Sequence, residues 1–148
     1  MSADSNVAYL LRGVERLQFA DKNIALDLDR HAGQVAKVLG AVFGASSLTN
    51  TEYVGIGLDL LHGGMSYEAL VTLADSVTEK TSSSDICEPL WTNVIGSAPS
   101  TQGVAPSKTM LDSGQLSVGQ LTVLAADTSS NTQSIDLVGL SATGIEFI

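Results

Sequence analysis

The chain has 148 residues, enough for one domain with a substantial core. A hydrophobic share of 44% and a mean hydropathy of +0.23 exclude a disordered polar chain, and no apolar run approaches the roughly 20 residues that span a bilayer. The net charge of −9, with no basic stripe, argues against binding nucleic acid or an anionic membrane surface.

The charge is unevenly placed. Residues 1–37 balance, whereas residues 38–148 set only Lys80 and Lys108 against eleven acidic residues. The N-terminal Met-Ser-Ala-Asp-Ser-Asn lacks the basic-then-apolar pattern of a Sec-type signal peptide, so export would need another signal. Cys87 stands alone and reads as a small buried apolar residue rather than a nucleophile.

The predicted elements begin with a short β-hairpin. Apolar Val14, Leu17 and Phe19 lie among polar residues, Ala20–Asn23 form a turn, and Ile24, Leu26 and Leu28 alternate with Ala25, Asp27 and Asp29. The hairpin is read as Val14–Phe19 with Ile24–Leu28. Alone it is marginal in water, so it must pack on helices or join another sheet. The apolar period then becomes helical. Val35, Val38, Leu39, Val42 and Phe43 form one stripe, stopped at Gly44. Tyr53, Ile56, Leu60 and Leu61 form a second, stopped at Gly63-Gly64. Ser66 caps a third carrying Leu70, Leu73 and Val77. After the Thr81–Ser84 loop the pattern recurs. Ile86, Leu90, Val94 and Ile95 end at Gly96, a helix through Met110 and Leu111 ends near Gly114, and Ser117 with Gln120 forms a capping box before Leu121 and Leu124.

The two halves correspond. Val42-Phe43-Gly44 matches Val94-Ile95-Gly96 at an offset of about 52 residues. Leu60, Gly63, Met65, Ser66, Leu70, Leu73 and Ala74 match Leu111, Gly114, Leu116, Ser117, Leu121, Leu124 and Ala125 at about 51. Three short amphipathic helices cannot bury their apolar faces alone, so the two units are expected to share one core. The fold class that follows is mainly α: a compact bundle of about six to seven short helices from a duplicated three-helix unit, preceded by a β-hairpin. Residues 1–30 form the tail and hairpin. Residues 31–130 form the duplicated region, with units of about 33–79 and 85–126. Residues 131–148 form a C-terminal helix and tail, in which Asn131 caps the helix.

Sites for chemistry are sparse. Asp21, Asp27 and Asp29 could offer oxygens to calcium, but without an EF-hand loop or a Gly-Gly-x-Gly-x-Asp nonapeptide they read better as a solvated strand face. His31 and His62 lack metal-ligand spacing and read as helix-end or exposed residues. Gly55-x-Gly57 lies within a helix and suits close helix approach rather than phosphate binding. Trp91 reads as a packing residue.

Gly13-Val-Glu-Arg-Leu-Gln-Phe-Ala-Asp21 followed by Ile24–Asp29 resembles the segment that closes calcium-dependent RTX β-rolls in type I-secreted bacterial proteins. Residues Gly33–Gly44, Glu52–Gly57, Gly64–Leu70 and Leu90–Gly96 resemble an uncharacterised, phycobilisome-linker-like helical domain at the C-termini of such proteins. The resemblance covers roughly residues 13–148 and brings no catalytic residues. It implies a non-catalytic C-terminal module of a secreted or cell-surface protein. It also implies type I export machinery as a partner and an export signal in the tail, carried by Asp136, Leu137, Val138, Ile145, Phe147 and Ile148. No cofactor is expected beyond possible calcium, and no membrane insertion. The alternative is a binding or self-assembly module for a protein partner, a glycan or a second copy.

Overall fold

A computed structural model describes residues 16–148. Strands β1 (Arg16–Gln18) and β2 (Asn23–Ala25) form the hairpin. Eight helices follow: α1 (His31–Phe43), α2 (Thr51–His62), α3 (Tyr67–Val77), α4 (Ser83–Ile95), α5 (Thr101–Asp112), α6 (Val118–Ala126), α7 (Ser129–Ser134) and α8 (Leu137–Thr143). A 3-10 turn, Ala45–Thr49, links α1 to α2, and β3 (Ile145–Phe147) ends the chain. The fold is mainly helical, as the periodicity predicts.

The C-terminus supplies what the hairpin needs. β3 pairs antiparallel with β2, with Ile24 opposite Glu146, and completes a sheet of order β1-β2-β3. Lys22 Nζ lies 3.0 Å from Glu146 Oε1, and the Ile148 amide donates to the Thr51 carbonyl of α2 at 3.2 Å. Gly55 makes this docking possible, because a Cβ there would lie 2.0 Å from the Ile148 carbonyl oxygen.

The hairpin also corrects the sequence reading. Its strands are shorter than predicted, and Val14 lies outside the described residues. The predicted alternation holds only in part: Leu28 is buried as expected, but so are Ala25 and Asp27, while Ile24 and Leu26 are only partly buried. The reason is the start of α1, where the preceding Arg30 offers no side-chain cap. Asp27 takes that role from outside the helix. Its Oδ2 accepts the Ala32 amide at 3.4 Å, its main-chain carbonyl accepts the Arg30 and Gly33 amides, and its carboxylate pairs with Arg16.

Two of the remaining caps are those the sequence predicts. Ser66 and Ser117 cap α3 and α6, and Ser117 completes the capping box with Gln120. Asn131 does not cap. Thr128 caps α7, while Asn131 is fully buried within it and donates to the Lys37 and Ala126 carbonyls. Asp136, at φ +51°, caps a separate helix, α8, so the single predicted C-terminal helix is two.

Helices α1 and α4 are both 13 residues long, and α2 and α5 are both 12. The turns after α2 and α5 place positive φ at Gly64 (+102°) and Gly114 (+74°). Geometry therefore matches Gly114 with Gly64 rather than Gly63, and Gln115 is the extra residue before the Ser cap. Two apolar clusters form instead of one. The first joins α1, α2 and α3 with Ala25, Ile135 and Ile145. The second joins Cys87, Leu90, Val94, Val104, Leu121 and Ala126 with Ala41 of α1. Helix α1 thus serves both, and Asn93 of α4 donates to its Ala41 and Val42 carbonyls at 2.9 and 3.1 Å.

Candidate functional site

Short helices meeting in threes leave gaps, and here the gaps are apolar. The first lies between α2 and α3, floored by α1. Val35, Val38, Leu39 and Phe43 form the floor, Tyr53, Ile56, Gly57 and Leu60 one wall, and Leu70, Leu73, Ala74 and Val77 the other. Its volume is about 160 Å³. Ile56 is 50% exposed and Val77 61%, so the rim keeps large apolar side chains in water. Gly57 lets α2 lie close to α1, since a Cβ there would meet both Val35 methyl carbons at 3.0 Å. The Phe43 and Tyr53 rings close one end, tilted, with centroids 5.7 Å apart.

A second groove of about 250 Å³ lies between α5 and α6, floored by α4. Its lining follows the first on the first and third helices of the unit but at only one position on the second. On the floors Val35, Val38, Leu39 and Phe43 match Cys87, Leu90, Trp91 and Ile95. On the second helices Gly57 matches Ser107, and on the third Leu70, Leu73, Ala74 and Val77 match Leu121, Leu124, Ala125 and Thr128. One exchange is compensated. Trp91 stands where the first groove has Leu39, and Gly103 stands where it has Tyr53. A Cβ on Gly103 would lie 2.5 Å from the Trp91 ring, so the larger indole takes the space of the missing phenol.

The sequence reading assigned Tyr53, Ile56, Leu73 and Val77 to buried stripes. Periodicity shows that residues share a helix face, but not whether a neighbouring helix covers it. Cys87 is buried in the second groove, as expected, and burial pushes its thiol pKa up.

The metal candidates do not converge. Asp21 and Asp29 are exposed, Asp27 is engaged by Arg16 and Ala32, and among the described residues no three His, Cys, Asp or Glu side chains gather. His31 opens α1 and His62 ends α2. The tail candidates divide. Ile145 is buried and Phe147 half-buried in the sheet, Leu137 packs on the first cluster, Asp136 caps α8, and Val138 and Ile148 are 85% and 71% exposed.

Asp75 had no signal in the sequence. It sits on α3 in a cleft shared with α4 and α6. Burial pushes its carboxyl pKa up to about 6, with the Thr122 hydroxyl and the Lys80 charge pulling the other way. Thr122, fully buried on α6, opposes the shift as a hydrogen-bond donor to this carboxyl.

Comparison with known proteins finds no matching family model, no matching curated protein and no matching solved structure.

Proposed function

We propose that the chain is a non-catalytic binding module of a secreted or cell-surface protein, whose two grooves seat apolar faces of a partner. The observation that carries this reading is the correspondence of the two groove linings on the first and third helices of each unit, with exposed Leu73 and Leu124 at equivalent rim sites. The occupant is an amphipathic helix with a basic flank. Helices α2 and α3, 12 and 11 residues long, present a trough about 16 Å in length. The exposed charges beside it on these helices are Glu52, Asp59 and Glu68. Leu73→Asp should weaken binding of a synthetic Lys-rich amphipathic helix at least tenfold by calorimetry, while Val138→Asp, outside the grooves, should not. Equal affinity for both variants would sink the reading, as would a glycan or a second copy of the chain occupying the groove instead.

A second reading is that residues 131–148 carry a type I export signal. It is favoured by the absence of Lys and Arg from Thr109 onward and by the exposure of Val138 and Ile148. Because β3 is an integral strand, such a signal would be read before the chain folds. A reporter fused to residues 109–148 should leave cells that hold a cognate exporter, and its retention inside would exclude the reading.

A further inference from the structure

We propose that the chain is a two-site bridge, holding two separate copies of one partner helix, one in each groove, around an approximate two-fold axis between the units. The inference rests on the reading of the grooves given above and adds how many partners they take.

Two repeated units can be stacked by translation or closed by a two-fold, and the contacts between them tell which. In a two-fold arrangement equivalent elements meet, and a contact between two positions returns between their equivalents. Here α1 packs on α4, and α3 on α6, the helices that the repeat makes equivalent. Ala41 and Asn93 are equivalent positions, and Asn93 Nδ2 donates to the Ala41 carbonyl at 2.9 Å. Glu68 and Gly119 are equivalent as well, and a Cβ on Gly119 would stand 3.9 Å from the Glu68 carbonyl oxygen. Each of these residues meets its own counterpart, which places both pairs near the axis. The Tyr67 hydroxyl donates to Asp127 Oδ1 at 3.2 Å. The two-fold carries that pair onto Val118 and Ser76, which line one cleft together. Neither side chain is large enough to close it, so the cleft is the unfilled copy of the tyrosine contact. The symmetry is approximate, since α1 also packs on α6.

The grooves inherit this relation. No residue lines both, so they are two sites and not one trough. The start of α3 meets the end of α6 at Tyr67 and Asp127, so these helices are antiparallel and the grooves run in opposite directions. One continuous helix cannot present the same face in the same direction to both, whereas two copies can. The two sites differ in charge. No Lys or Arg stands on α2 or α3 beside the first groove, whereas Lys108 of α5 stands with Glu88 and Asp112 around Cys87 in the second. A helix with a basic flank therefore fills the first groove tightly and the second more weakly.

The test is calorimetry of the full chain with the synthetic Lys-rich amphipathic helix, and light scattering of the chain mixed with that helix fused to a globular carrier. Two binding events are expected, the second about tenfold weaker, and the saturated complex should gain two carrier masses. Leu73→Asp should remove the tighter event and Leu124→Asp the weaker. Both leucines are exposed, so each variant should still melt cooperatively. Lys108→Glu should tighten the second event about threefold and leave the first unchanged. A single event in the wild type, lost in one leucine variant and untouched in the other, would overturn the bridge while leaving one groove a binding site. No event at all would remove both readings. A complex of two chains around one carrier would also overturn the bridge.

Discussion

At the residue scale, two positions make opposite demands. Gly33 accepts no side chain, because a Cβ there would lie 1.8 Å from the Leu28 carbonyl oxygen, a backbone atom that cannot swing aside. Gly64 has open space around it and is constrained only by its φ of +102°. Gly33→Ala should therefore cost about 3 kcal/mol by urea unfolding, and Gly64→Ala only about 1 kcal/mol. Asp75 makes the other demand, on charge. Its carboxyl is raised from 3.8 to about 6 on folding, so the folded state takes up a proton between those values. Its charged form weakens the fold at neutral pH, and stability is recovered as pH falls through 6 toward 4. Because the group is partly exposed, the effect is discounted for screening to about 1 kcal/mol. Asp75→Asn should melt above the wild type at pH 7.5, and the gap should narrow through pH 6 and close below about pH 4. A gap independent of pH would show that Asp75 is not a buried charge.

At the scale of elements, local signals were legible and long-range partners were not. Ser66, Ser117 and Gln120 could be read because a cap involves residues three apart. The hairpin could be located from its period of two, but the burial of Ala25 and Asp27 could not, because it is set by Arg16, Ala32 and β3. The last of these lies more than a hundred residues away. Asn131 misled for a related reason: an Asn before an apolar run resembles a cap, yet here it bonds carbonyls of α1 and α6 from inside α7. The C-terminal strand carries the clearest consequence. Removing residues 145–148 uncovers the β2 edge, loses the buried Ile145 and half-buried Phe147, and breaks the Ile148 to Thr51 bond. About 3–4 kcal/mol should be lost in urea unfolding, mostly from the apolar burial. Unchanged stability would mean that the strand is an ornament on the helical bundle.

At the scale of the whole molecule, the question is whether two clusters make one cooperative unit. Ala32, Val35, Val38 and Leu39 of α1 belong to the first cluster and Ala41 to the second, so neither can come apart while α1 stays whole. Asn93 ties α4 to the last turn of α1, and Tyr67 packs against both clusters. The repeated grammar of the sequence made the units visible. It could not show that one helix is shared, because sharing breaks the symmetry that makes a repeat readable. Trp91 is the sole tryptophan and lies on the second cluster, so its fluorescence follows that half alone, while far-UV circular dichroism follows every helix. If α1 couples the halves, the two signals should give the same urea midpoint. Val94→Ala, buried in the second cluster, should lower both midpoints together, by an amount equivalent to about 2 kcal/mol. A tryptophan transition that moves ahead of the helical one in this variant would show that the second unit can unfold while the first holds α1 in place.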